Sequence, residues 1–246
     1  MILSAVIVVA ALYVTYRLVD PLPPRHFAIA AGAAGSGYDN FARQYARILA
    51  RQGVELEIRN SVGAVENLAL LRDPASGVQA AVATFGVTQP ADADIFYSLG
   101  GIFDAAIFIF YRNAEPVTLF AQFRGKRLSI GMPGTALRLL MLEVLKATDA
   151  LDASTQLLDP EYTQAIDGCR GRREYVMSVA QAEAIAKTVP GLKHVVLWRG
   201  LLDLSRDLPD SDVDLLASRN RVLVRKDLHP ALQYLLLEAM REVHWP

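Results

Sequence analysis

The stretch "HFAIAAGAAGSGYDNFARQYARILARQG", residues 26–53, restricts the fold more than any other part of the chain. Residues 27–31 form a short apolar run that reads as a strand. A turn with Gly32, Gly35 and Gly37 comes next. Apolar or aromatic residues then recur at 38, 41, 45, 48 and 49, which is helical spacing. Strand, glycine turn and helix in succession aim free backbone N–H groups at the end of the strand, where an anion can sit. The anion is either a nucleotide phosphate or the carboxylate of a small ligand.

The same alternation continues. "VELEIRN" reads as a strand, "SVGAVENLALLRDP" as a turn and short helix beginning near Ala64, and "GVQAAVATFG" as a strand. "AAIFIFYRN", centred on 106–112, reads as a long strand. "KRLSIGMPG" runs into a second glycine turn and the helix "TALRLLMLEVLKATD". Alternating units predict a parallel sheet with helices on both faces. The repeated device at 27–52 and 127–147 predicts two α/β lobes offering helix N-termini to one cleft. The C-terminal run "NRVLVRKDLHPALQYLLLEAMREV" predicts one more strand and helix, with Asp227 near the cap and Pro230 in the first turn.

A chain of 246 residues accommodates two lobes of roughly 100 residues each. The net charge of −1 offers no basic excess for a nucleic-acid backbone. The single cysteine, Cys169, excludes an internal disulfide and a cysteine metal cluster, and it reads as an incidental thiol. Histidines 26, 194, 229 and 244 form no spaced metal pair. We expect no metal and no cofactor.

The opening run "MILSAVIVVAALYVTY" is apolar and uncharged until Arg17. With Leu18 and Val19 it reaches the roughly 17 to 25 residues of a spanning helix. No A-x-A-like cleavage site comes after it, so residues 1–19 read as an uncleaved membrane anchor rather than a signal peptide. Residues 20–25 read as a linker. Arg17 and Arg25 lie after the run and no basic residue precedes it, so charge bias alone does not predict export of the C-terminal part of the chain.

The motifs decide between anions. Residues 32–37 read G-x-x-G-x-G, not the dinucleotide order G-x-G-x-x-G, and "VELEIRN" ends in Arg59 and Asn60 where an acidic residue is expected. The Walker pattern is absent. An anion-binding turn at Ser36, Gly37 and Tyr38 is the better reading, beside the plainer one of a tight turn alone. In "NSVGAVENLALL", Ser61 and Gly63 precede a helix whose first amides, with the Ser61 hydroxyl, can hold a carboxylate. Glu66 in the first turn favours the helix dipole before any ligand contact, and Asn67 either meets ligand or braces the loop. Thr135 reads as the cap of the second-lobe helix, behind Gly131 and Gly134. No G-x-S-x-G and no Ser, His and Asp set can be assembled, so catalysis is not expected.

Taken together, "AAGSGY", "SVGAVENLALL", "GKRLSIGMPGTALR" and "NRVLVRKDLHPAL" resemble the TAXI family of TRAP-transporter solute receptors, from about residue 25 to residue 243. The "S-x-G-[SA]-x-E-N-L" element is the most telling. The resemblance implies a type II periplasmic-binding-protein fold, in which two α/β lobes close over a small ligand, often an amino acid or organic acid. It also implies a membrane-anchored, periplasmic receptor that hands its ligand to an ion-driven TRAP permease. The family's turns map onto Gly37 and Tyr38; onto Ser61, Gly63, Val65, Glu66 and Asn67; and onto Gly134, Thr135 and Ala136. Thr84 stands where glutamine is common, and the second-lobe loop reads G-T-A-L-R where G-S-G-T-R is typical. Relative to the family, the second lobe is shortened near 160–175, which would leave apolar surface and open edges. The expected division is 26–105 plus 214–246 for the first lobe and 106–213 for the second. A ligand-sensing domain without transport is the alternative, and an enzyme holding a phosphate cofactor is a third.

Overall fold

A computed structural model describes Tyr13 and residues 23–112, 115–159 and 175–245. The anchor expected at 1–19, most of the linker, Cys169 and the shortened segment near 160–175 lie outside the described residues, apart from Tyr13, the end of the linker and Tyr175. No helix among the described residues is long and apolar enough to cross a membrane.

The first five elements match the sequence pattern. Strand β1 (His26–Ala30), helix α1 (Gly37–Arg51), strand β2 (Glu55–Arg59), helix α2 (Ala64–Arg72) and strand β3 (Val78–Thr84) come in that order. β1 pairs in parallel with both β2 and β3. Alternation decides what each face of β1 covers. Phe27 and Ile29 join the inward face of α1, Ala42, Tyr45 and Leu49, in one core. Ala28 and Ala30 join Leu68 and Leu71 of α2 in another. Both faces are therefore buried, which is why the strand reads as an unbroken apolar run.

Two long strands complete this sheet, β4 (Phe96–Ile107) and β10 (Val213–Arg225), in the order β2-β1-β3-β10-β4. β10 is antiparallel to both β3 and β4, so the sheet is mixed rather than parallel as expected. The apolar run at 106–112 is not one strand. It divides between the end of β4 and a two-residue strand β5 (Phe110–Tyr111). Helix α5 (Pro230–His244) closes the first lobe, packing Leu232, Leu236 and Met240 into the core beneath α1. His229, not the Asp227 region, caps it by accepting from the Ala231 N–H, while Asp227 pairs with Arg225.

The second lobe is assembled differently. Helix α3 (Ala136–Ala147) and helix α4 (Ala182–Thr188) cover short ladders: β5 with β8 (Tyr175–Val176), and β6 (Arg127–Ser129) with β7 (Gln156–Leu158). Strand β9 (Leu192–Leu197) pairs with the first half of β10. β10 thus serves both lobes: Leu216 belongs to the second core, and Val222 and Val224 to the first. The lobes also touch through two glycines. A Cβ on Gly86 would lie 2.4 Å from the Pro190 carbonyl oxygen, and one on Gly191 would lie 2.2 Å from that of Phe85. Both glycines have positive φ, and only they allow so close an approach of two backbones.

Candidate functional site

The C-terminal ends of β1, β2 and β3 gather the first-lobe residues singled out in the sequence. Ser36 caps α1, accepting from the Asp39 N–H, and Tyr38 stands in the first turn. The Tyr38 hydroxyl donates to Asn220 Oδ1 at 2.5 Å and lies 3.1 Å from Thr84 Oγ1. Thr84 donates to the same Asn220 oxygen at 2.9 Å. With both hydroxyl hydrogens on one amide oxygen, Tyr38 and Thr84 present lone pairs rather than donors to a ligand. Thr84 and Asn220 are only 2% and 1% exposed, so both influence a ligand through Tyr38. Burial raises the Tyr38 phenol above its ordinary pKa, and the Thr84 bond opposes that, so the phenol keeps its proton at neutral pH.

The helix N-terminus is less empty than the sequence suggests, because Asp39 occupies it. The Asp39 carboxylate accepts from the Gly35 N–H at 2.8 Å, from Arg43 Nε at 2.8 Å and from Asn60 Nδ2 at 3.2 Å. Arg43 and then the Gly35 amide hold its pKa below the usual carboxylate value. A resident anion therefore lies beside the turn where a ligand carboxylate was expected.

The Ser61 turn is likewise wired to the protein. Ser61 donates to Asn67 Oδ1 at 2.5 Å and accepts from the Gly63 N–H at 3.1 Å. Asn67, fully buried, also accepts from the Gly32 N–H at 3.4 Å and donates to the Val82 carbonyl at 2.7 Å. Asn67 thus ties the Ser61 and Gly32 turns to strand β3. Glu66 accepts from the Val62 N–H at 2.7 Å, a local cap. The first-turn amides at 64–66, Val65 included, precede the first intrahelical bond, from Asn67 N–H to Gly63, and carry the partial positive end of α2.

The second-lobe loop is held by local bonds. Thr135 caps α3, accepting from the Arg138 N–H, and donates to the Met132 carbonyl. Arg138 donates to the Gly131 carbonyl and pairs with Asp159. Gly134 and Ala136 flank that cap. No hydrogen bond among the described residues joins this loop to the first-lobe residues.

A cavity of about 220 Å³ opens beside Asn220, walled by Phe85, Phe103, Asp104, Arg219 and Trp245. Arg219 supplies donors there and lies 3.9 Å from Asp104, which also receives Lys193 at 2.7 Å. A larger hollow of about 590 Å³ lies between α1 and α5 on the outer face, away from the strand ends, so volume alone does not locate the site. Local sequence reasoning missed Asn220, Arg219 and Asp39. The only sign of the first two was a polar interruption, "SRN", inside an apolar run. Among the described residues, no group of three or more His, Cys, Asp or Glu is placed to hold a metal ion.

No protein-family model and no curated protein matches the sequence. Solved structures do match in shape. The alkanesulfonate-binding protein SsuA from Xanthomonas axonopodis pv. citri, bound to MOPS, superposes with a TM-score of 0.50 at 14% identity, over 90% of this chain and 73% of that one. YhfZ from Shigella flexneri gives 0.50 at 15% identity, over 90% and 89%. The substrate binding protein of an amino acid ABC transporter gives 0.47 at 14%, over 89% and 92%. At such identities the two matches at 0.50 speak to architecture alone, and the architecture is that of a type II periplasmic binding protein, two α/β lobes around a cleft.

Proposed function

We propose that the protein is an extracytoplasmic solute receptor. It binds a small carboxylate-bearing ligand, an amino acid or organic acid, and passes it to a TRAP-type permease. Residues 1–19 tether it to the membrane. We assign 26–105 plus 214–246 to one lobe and 106–213 to the other.

The observation that carries this reading is the convergence of Tyr38, Thr84 and Asn220 beside a small cavity that also holds Arg219. A group meeting Tyr38 meets lone pairs and must donate, as an ammonium or hydroxyl does. A group meeting Arg219 meets N–H and must accept, as a carboxylate does. The amides at 64–66 add a second place for negative charge. The negative charge of Asp39 stands beside the end of α1, so we place the ligand carboxylate against Arg219 or the α2 amides rather than at 36–38.

The test is a thermal melt of the full chain with a panel of amino acids and small organic acids. A true ligand at about 100 times its dissociation constant adds roughly 2.7 kcal/mol and raises the midpoint. Tyr38→Phe abolishes most of that rise and moves the ligand-free midpoint by no more than about 1 kcal/mol, because Thr84 still serves Asn220. A panel that shifts nothing, or a shift that Tyr38→Phe leaves whole, overturns the site.

A further inference from the structure

The loop joining β9 to β10, residues 198–212, shows an apolar surface that neither lobe uses. Trp198 is 60% exposed, Leu201 62%, Leu202 66% and Leu204 88%. These side chains are not on a slack segment. The Gly200 N–H donates to the Pro209 carbonyl at 2.9 Å and the Leu202 N–H to that of Leu208 at 2.9 Å. Asp203 and Leu208 exchange backbone bonds at 3.1 and 2.9 Å. Arg199 grips Asp207 with two nitrogens, and its own N–H donates to Asp212 at 2.8 Å. Asp203 Oδ1 accepts from the Ser205 and Arg206 amides. The backbone is thus fixed while the leucines face water, at a cost that burial against something else would recover.

Charge narrows what that something is. The loop carries Asp203, Asp207, Asp210 and Asp212 against Arg199 and Arg206, four negative and two positive, a formal −2, and it has no lysine. Both arginines pair within the loop, Arg199 with Asp207 and Arg206 at 3.7 Å from Asp203, which leaves Asp210 and Asp212 as its uncompensated charges. Bacterial lipid surfaces are anionic and favour basic flanks, so this rim opposes them. A second copy, docked face to face, would set −2 against −2. We infer that residues 198–212 dock into an apolar recess rimmed by lysine or arginine on a different protein. The surface is separate from the ligand cavity: Val213 stands seven residues from Asn220 on β10, roughly 23 Å along an extended strand.

The experiment places a photo-cross-linking amino acid at Leu204 of the full chain, in cells of the source organism, and sequences the adduct. The expected result is one protein, other than this chain, joined through an apolar surface that carries lysine or arginine. Adding Leu201→Asp and Leu202→Asp cuts the yield at least tenfold, and Asp210→Lys cuts it several-fold. Melting of these variants stays unchanged, since the altered side chains are exposed. An adduct to lipid, to a second copy, to a surface without basic residues, or no adduct at all overturns the inference. So does cosedimentation of the protein with phosphatidylethanolamine–phosphatidylglycerol vesicles that the leucine variants abolish.

Discussion

The two lobes reach stability by different means. The first is one sheet, five strands in unbroken order from β2 to β4, with helices on both faces. The second, among the described residues, rests on ladders of two and three residues plus β9 against the shared strand β10. The buried polar residues divide the same way. Asp39, Asn67, Thr84, Asp92 and Asn220 all lie in the first lobe, each held by hydrogen bonds. The second core is apolar throughout its buried members. A satisfied polar network accepts one arrangement only, whereas apolar packing on short ladders tolerates several. The first lobe is therefore the rigid half that fixes the site, and the second is the half that can adapt.

The substitution that breaks this contrast most severely is Gly191→Ala. Its Cβ would meet backbone, not a movable side chain, and φ is +94°. We expect a loss above about 4 kcal/mol, the range reserved for strain and overpacking, read as a large fall in the denaturant midpoint. A loss below about 1 kcal/mol would mean that the lobes are joined by β10 alone.

Next in size is a matched pair in the two cores. Leu68 and Leu145 are both buried, at 0% and 1% exposed. Truncation of a buried leucine to alanine costs about 2–5 kcal/mol, less where the surroundings can collapse. Leu68→Ala lies between α2 and a continuous sheet and takes the upper part of that range; Leu145→Ala takes the lower. Equal losses in urea unfolding would remove the distinction between the lobes.

The smallest effect is acid sensitivity. Burial pushes His244 below its ordinary 6.5. Arg43 and Arg72 hold Asp39 and Asp92 below 3.8. In each case the unfolded chain takes up its proton first as pH falls. The stability present above the ordinary value is then lost on acidification, from about pH 6.5 downward for His244 and below 3.8 for the carboxylates. The lowered carboxylates of the second lobe, Asp152, Glu183, Asp203 and Asp207, are exposed or partly so and contribute little. Hydrogen exchange at falling pH should loosen the first lobe before the second, and the reverse order would contradict the assignment.

How much of this was legible depended on whether the information was local. β1, α1, β2, α2 and β3 could be read because each buries a face that leaves its period in the residues. β4 could not, since Gly100, Gly101 and Asp104 break its apolar pattern. The length of β10 was hidden in the same way: Ser218, Arg219 and Asn220 interrupt it where the strand passes from one core to the other. Of those interruptions, Gly101, Asp104, Arg219 and Asn220 line the candidate cavity. Tyr38 could be flagged from its turn and Thr84 through the family resemblance, but Asn220, 136 positions from Thr84, is joined to them only by the fold. Ser61 was legible as important, though as a brace for Asn67 rather than as a free donor. Asp39 taught the opposite lesson, for a helix N-terminus that reads as open to a ligand has the carboxylate of its own third residue beside it.

The shared strand β10 also has a consequence for how the protein is made. β1 and α1 are the first described elements to leave the ribosome, yet the core beneath them needs Val222, Leu232 and Met240 from the far end of the chain. The open edge of β3 waits for the same segment. Until those residues are synthesised, the alanine-rich strands present an unpaired edge to the surrounding solution, which makes nascent chains prone to association. The first lobe is begun before the second but completed only after it, and synthesis of β10 and α5, rather than emergence of the opening strands, sets the moment at which that lobe can close its core.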